Sequence, residues 1–92
     1  MPILDYVSQT ADTLRVTYVD MPAGTEVVFV DTTSGAKTPS PSSALRNGGN
    51  GSADIAIDPA LPAAGYYLLA QGSGGQYLAQ TVTFYIRRGR AG

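Results

Sequence analysis

Hydrophobic and polar residues alternate along most of this chain, with a period of two rather than 3.6. Leu14, Val16 and Tyr18 fall on one side of such a pattern, which predicts a half-buried strand over residues 13–20. No stretch has the spacing of a helix of about ten residues or more. The same alternation predicts further strands over residues 3–8, 53–58 and 81–86.

Two other segments, Glu26–Asp31 and Tyr66–Gln71, are apolar at almost every position and so predict strands with two apolar faces. In the first, we expect Val27 and Phe29 to face the core, which turns Val28 and Val30 outward. The same alternation of side chains between two faces applies to the second segment and to the last strand. We expect Tyr67, Leu69, Val82, Phe84 and Ile86 to point inward, and Tyr66, Leu68, Ala70 and Tyr85 to point outward.

Turn residues separate these strands. Gly72-Ser73-Gly74-Gly75 lies between two strand segments and predicts a hairpin joining Tyr66–Gln71 to a strand over residues 77–86. Residues 34–52 contain a single large apolar side chain, Leu45, and predict one long mobile loop with at most a short edge strand at residues 36–38. About six to seven short strands with frequent turns indicate an all-β fold, a sandwich or a barrel.

One local pattern favours the sandwich. The segment Gly65-Tyr66-Tyr67-Leu68-Leu69 resembles the start of strand F in immunoglobulin-like domains, where Gly-x-Tyr-x-Cys carries a buried tyrosine. The resemblance implies that Tyr67 bonds its hydroxyl to backbone upstream and that Leu69 stands where antibody domains have cysteine. The stretch from Tyr77 to Ile86 is similar to the last strand of bacterial and phage immunoglobulin-like modules. We therefore expect an immunoglobulin-like antiparallel β-sandwich.

Composition narrows the chemistry. The 92 residues contain no cysteine and no histidine, which removes disulfides, thiolate nucleophiles and imidazole bases or ligands. Lys37 is the only lysine and lies in the predicted loop. Asp54 and Asp58 are about 13 Å apart along a strand, too far for a retaining pair of carboxylates. We expect no enzymatic activity, no cofactor and no metal.

Charge divides the chain into two parts. Residues 1–86, the predicted sandwich domain, carry three basic and seven acidic side chains, whereas residues 87–92 form a predicted flexible tail with three arginines. The net charge of −1 disfavours nucleic acid as the main partner. No signal peptide and no apolar run of about 20 residues is present, so we expect synthesis in the cytoplasm and no membrane span.

These features favour contact over chemistry. A small domain of this kind resembles the accessory proteins that decorate or cement virions, which implies docking onto protein subunits of a larger assembly, or self-association. A carbohydrate-binding or spacer module of a secreted or surface protein is the alternative, because six tyrosines offer sugar-stacking rings. The partner-binding residues we predict are those of the outward apolar face and the tail: Val28, Val30, Tyr66, Leu68, Tyr85, Arg87, Arg88 and Arg90.

Overall fold

A computed structural model describes residues 1–40 and 45–87 of the chain. All regular structure in these residues is extended, and they contain no helix. The strands are β1 (Ile3–Gln9), β2 (Thr13–Met21), β3 (Glu26–Asp31), β4 (Lys37–Pro39), β5 (Gly49–Ala56), β6 (Ala64–Gln71), β7 (Tyr77–Gln80) and β8 (Phe84–Ile86).

The strands form two antiparallel sheets. One contains three strands in the order β1-β2-β5, and the other contains five, in the order β4-β3-β6-β7 with β8 also paired to β6. Residues of both sheets share one buried apolar cluster, in which Leu14, Val16 and Ile55 of the smaller sheet are fully buried with Phe29 and Leu68 of the larger. The prediction of an all-β fold with sandwich-like layers is therefore confirmed.

The side-chain order of β6 is the reverse of the predicted one. Tyr66, Leu68 and Ala70 lie in the main core, whereas Tyr67 and Leu69 lie on the opposite face with Val28 and Val30. Alternation could not decide between the faces, because both are apolar. Pairing decides it: Leu69 lies opposite Val28 and Tyr67 opposite Val30, so each pair shares a face.

The buried tyrosine is accordingly Tyr66 rather than Tyr67. Its ring is 2% exposed, and its hydroxyl donates to the Pro62 carbonyl at 2.7 Å. The predicted hydroxyl-to-upstream-backbone bond exists, but one residue earlier than expected. Tyr67 is only half-buried on the outer face.

The C-terminal strand is interrupted, which corrects the position of Val82. The Thr81 amide donates to the Leu68 carbonyl, and the Leu68 amide donates to the Thr81 hydroxyl, so a side chain replaces part of the ladder. Because Thr81 turns inward and one extra residue precedes Phe84, Val82 faces solvent at 71% exposure. From Phe84 onward the predicted alternation holds, with Ile86 buried and Tyr85 exposed.

The stretch 34–52 is not a single loop. Its first part contains β4, close to the predicted edge strand, and its last part, from Gly49, belongs to β5. Leu45, between them, is buried in the main core. Gly51 pairs with Tyr18, and a Cβ on Gly51 would lie 3.1 Å from the Tyr18 hydroxyl oxygen, so glycine makes room for that side chain.

Candidate contact surface along the β1 and β8 edge

The predicted partner-binding residues do not form one surface. Tyr66 and Leu68 are core residues, which corrects their assignment to an outward face. Val28 and Val30 do lie on the outer face of the larger sheet, but they are only 4% and 3% exposed. Tyr85 and Arg87 are exposed, whereas Arg88 and Arg90 lie outside the described residues.

The outer face of the larger sheet is apolar but closed. Val28, Val30 and Leu69 form a second small cluster of buried residues, with Tyr67 packed against it. Burial of this kind leaves little apolar area for a partner to cover, so this cluster acts as a minor core. Any apolar contact surface must be sought elsewhere on the described residues.

The exposed large apolar residues of the described chain belong to few elements. Some belong to β1, to the chain start that precedes it, or to the residue of β2 opposite Ile3, and the others to the segment from β7 to β8. None lies on β3, β4, β5 or β6 within the described residues. They are Met1, Ile3, Val7, Val19, Tyr77, Val82 and Tyr85.

A groove of about 710 Å³ opens between the end of β1 and the segment that enters β8. Tyr6, Gln9 and Thr10 line it from the smaller sheet. Val82, Thr83, Phe84, Tyr85 and Arg87 line it from the larger sheet. Because β1 pairs only with β2, and β8 only with β6, both walls are free edges of the described sheets.

Aromatic stacking positions the base of the groove. The Tyr6 and Phe84 rings stack with centroids 5.5 Å apart, and Phe84 meets Phe29 edge to face at 6.3 Å. Phe84 is buried, whereas Tyr6 is half-buried. The groove therefore rests on the main core and is held in shape by it.

A short hydrogen-bond chain connects the two walls. The Tyr6 hydroxyl donates to Gln9 Oε1 at 3.0 Å, and Gln9 Nε2 donates to the Tyr85 carbonyl at 2.8 Å. The Tyr85 carbonyl thus points away from β6 and toward the free edge. Gln9 occupies that acceptor in the manner of a neighbouring strand.

The Tyr85 ring lies over a glycine. A Cβ added to Gly65, its cross-strand partner, would come within 2.9 Å of Tyr85 Cε1 and 3.1 Å of the Thr32 hydroxyl. Glycine at 65 therefore lets the ring lie close to the backbone, while Tyr85 stays 64% exposed. The ring is a fixed apolar surface presented to solvent.

Electrostatics distinguish this groove from an acid–base centre. Its described lining contains no carboxylate, and Arg87 makes no ion pair within the described part of the chain. The resolved pKa shifts arise elsewhere, in exposed pairs. A hydrogen bond from Arg15 lowers the pKa of Asp54, and one from the N-terminal ammonium lowers the pKa of Asp20.

Within 1–40 and 45–87, no cluster of at least three histidine, cysteine, aspartate or glutamate side chains could hold a metal ion. No helix there has the length and apolar character needed to cross a membrane.

The opposite side of the molecule has a different surface. There β4 presents Lys37 and Pro39, and β5 presents Asp54 in an ion pair with Arg15. The Ser40 hydroxyl donates to the Ala56 carbonyl at 3.3 Å and links the two sheets on this side. Lysine and proline are among the residues with which natural sheets protect their edges.

Most residues that line the groove were not predicted from the sequence as contact residues. Val82 was expected in the core, and Tyr6 and Gln9 were not singled out. A signal for Val82 exists in Thr81-Val82-Thr83, whose threonines can replace ladder bonds. Nothing in the local sequence of β1 indicates that Gln9 reaches Tyr85, because 76 residues separate them.

Comparisons of the chain with protein-family models, with curated proteins and with solved structures found no match. The surface therefore has to be interpreted from its own geometry and chemistry.

Proposed function

We propose that this protein is a non-catalytic interaction module with an immunoglobulin-like sandwich, which docks as an accessory subunit onto a larger protein assembly such as a virion. The observation that carries the proposal is the groove between β1 and β8, which the exposed Val82 and Tyr85 line beside the stacked rings of Tyr6 and Phe84. Exposed apolar area concentrated in one region marks contact sites. Tyrosine adds contact area at low entropic cost.

The immunoglobulin-like part of the proposal is supported by topology. The order β1-β2-β5 corresponds to strands A, B and E of that fold, and the order β3-β6-β7 to strands C, F and G. The bond from Tyr66 to Pro62 supplies the tyrosine contact that such domains place at the start of strand F.

The experiment compares association of matched variants by sedimentation velocity and native mass, with the protein alone and in extract of its source. Val82→Ser and Tyr85→Ser remove exposed apolar groups from the proposed surface, and Lys37→Ser changes an exposed residue of β4 on the other side. We expect the first two variants to lose the heavier species and Lys37→Ser to keep it, with unchanged circular dichroism in all three. Persistent association of the Val82→Ser, Tyr85→Ser double variant would contradict the proposal.

A carbohydrate-binding module is a second candidate, favoured by the exposed Tyr85 ring beside the polar groups of Gln9, Thr10 and Thr83. Titration calorimetry with soluble hexasaccharides tests it. Saturable heat that disappears in Tyr85→Ser but not in Tyr77→Ser would favour sugar over protein as the ligand. Tyr77 is the matched control because it is equally exposed on β7.

A further inference from the structure

We propose that the groove takes an extended, acidic segment of a partner protein, which lies along the free edge of β8 as an added strand. This inference rests on the proposed function and names the kind of partner contact. The first argument is the backbone. Tyr85 lies opposite Gly65 of β6 and turns its carbonyl to the free edge, where Gln9 Nε2 donates to it in place of a neighbouring strand; an added strand would take over that acceptor.

The residues along the groove match the footprint of a strand. The strand itself, Phe84–Ile86, is about 10 Å long at 3.3 Å per residue, and Val82, Thr83 and Arg87 extend the lining on either side of it. That strand accommodates about three residues of extended peptide in register. Strand addition draws its affinity from main-chain hydrogen bonds and its specificity from pockets for alternate side chains.

The groove supplies one such pocket. The stacked Tyr6 and Phe84 rings form its apolar base, and Val82 stands exposed at its side. A β-branched or aromatic side chain of the added strand fits this setting, because it would cover apolar surface that is otherwise wet.

Charge specifies the rest of the segment. Arg87 lines the groove, and no carboxylate lines it in the described residues. An acidic side chain near the end of the segment therefore finds positive charge and no repulsion at this site. The remainder of the chain, which is acidic, would repel the same segment elsewhere and favour this edge.

The test is a selection from a displayed library of random linear peptides, followed by binding assays with the synthetic peptides. We expect the enriched sequences to combine carboxylates with apolar residues at alternate positions. Arg87→Glu should weaken binding about tenfold, whereas Lys37→Glu, the same charge change on β4, should leave it within about twofold. Methylation of alternate backbone nitrogens of the peptide should abolish binding in one register only.

Several outcomes overturn the inference: no enriched peptide, binding that survives methylation in both registers, or equal effects of Arg87→Glu and Lys37→Glu. Association of two copies through this edge, without peptide binding, would overturn it as well. If Val82→Ser and Tyr85→Ser still abolish association with the assembly in that case, the proposed function stands and only the strand-addition mode fails. If neither peptide nor assembly depends on this side, both fail.

Discussion

The two sides of this molecule share one arrangement of strands and differ in the residues at their free edges. On each side a strand of the smaller sheet approaches a strand of the larger one, and a side-chain hydrogen bond links the two sheets. Gln9 bonds the Tyr85 carbonyl at 2.8 Å on one side, and Ser40 bonds the Ala56 carbonyl at 3.3 Å on the other. We call them the open side, with β1, β7 and β8, and the guarded side, with β4 and β5.

The residues that cover the free edges differ between the two sides. The guarded side has Lys37 and Pro39 on β4, both of which discourage pairing with another strand. The open side has Val82 and the Tyr85 ring exposed beside a groove. A small protein that protects one pair of edges and leaves the other apolar has the surface expected of a one-sided contact.

The largest predicted effect separates stability from binding. Phe84 supports the open side and Leu45 lies in the segment before the guarded strand β5, and both are buried in the main core. Replacing either by alanine should lower the free energy of unfolding by about 3 kcal/mol, measured by urea denaturation. Only Phe84→Ala should also lose association at temperatures where both variants are folded.

If Phe84→Ala fails to fold, Phe84→Leu keeps apolar burial while removing the stack on Tyr6. Association that is lost equally in Leu45→Ala and Phe84→Leu would show that the two sides do not differ in the way described above.

The next effect concerns β6, the strand that pairs with both β7 and β8. Tyr66→Phe removes the part-buried hydrogen bond from the hydroxyl to the Pro62 carbonyl, so it should cost about 1 kcal/mol. Tyr67→Phe, one position along β6, should change the unfolding free energy by less than about 0.5 kcal/mol. Thermal or urea unfolding of both variants measures the difference, and a larger loss for Tyr67→Phe would contradict the register.

A smaller effect tests whether Lys37 and Pro39 keep the guarded side from pairing with another strand. Pro39→Val restores an amide to β4, and Lys37→Thr removes its charge. The double variant should keep its stability within about 0.5 kcal/mol yet form dimers or larger species as concentration rises in sedimentation velocity. If the double variant remains a monomer at every concentration, some other feature protects this edge.

The smallest effect is electrostatic. Asp54 has a pKa below its usual value because Arg15 hydrogen-bonds it, so its contribution to stability is present above the unfolded-state pKa, near 3.8, and is lost as the pH falls through the lower folded value. Both side chains are about half exposed, so the contribution should be slight and screened by salt. Asp54→Asn should weaken the pH dependence of the unfolding free energy between about pH 5 and pH 2, relative to the parent protein.

Much of the fold could be predicted from period and turn chemistry. The alternation in β2 is unambiguous because Arg15 and Thr17 cannot share a face with Leu14 and Val16, and the structure buries the latter two. The glycine-rich segment between β6 and β7 likewise predicts the hairpin, which closes through a bond from the Gly75 amide to the Gly72 carbonyl.

The errors have a common physical cause. Tyr66 and Tyr67 are equally apolar neighbours, so only cross-strand partners and the reach to Pro62 decide which is buried. Val82 was misplaced because the hydroxyl of Thr81 takes over a backbone role, which shifts the alternation by one residue. Gly49 and Gly51 joined β5 without any strand propensity, since pairing to β2 and the cover of Tyr18 supply what side chains do not.

The candidate site was predicted only in part. Tyr85 and Arg87 were expected at a contact surface, and both lie at the groove, where their role in binding stays a prediction. Tyr6 and Gln9 could not be foreseen, because they approach β8 only through long-range packing of the two sheets. Sequence pattern locates strands well and locates the meeting of two sheet edges poorly.

The most direct test of the difference between the two sides is photocrosslinking with benzoylphenylalanine placed at Val82 on the open side or at the exposed Lys37 on the guarded side, in extract of the source. We predict a discrete crosslinked product from position 82 that disappears when Arg87→Glu is present in the same chain, and none from position 37. Crosslinking from position 37 alone, or equally from both positions, would contradict the account.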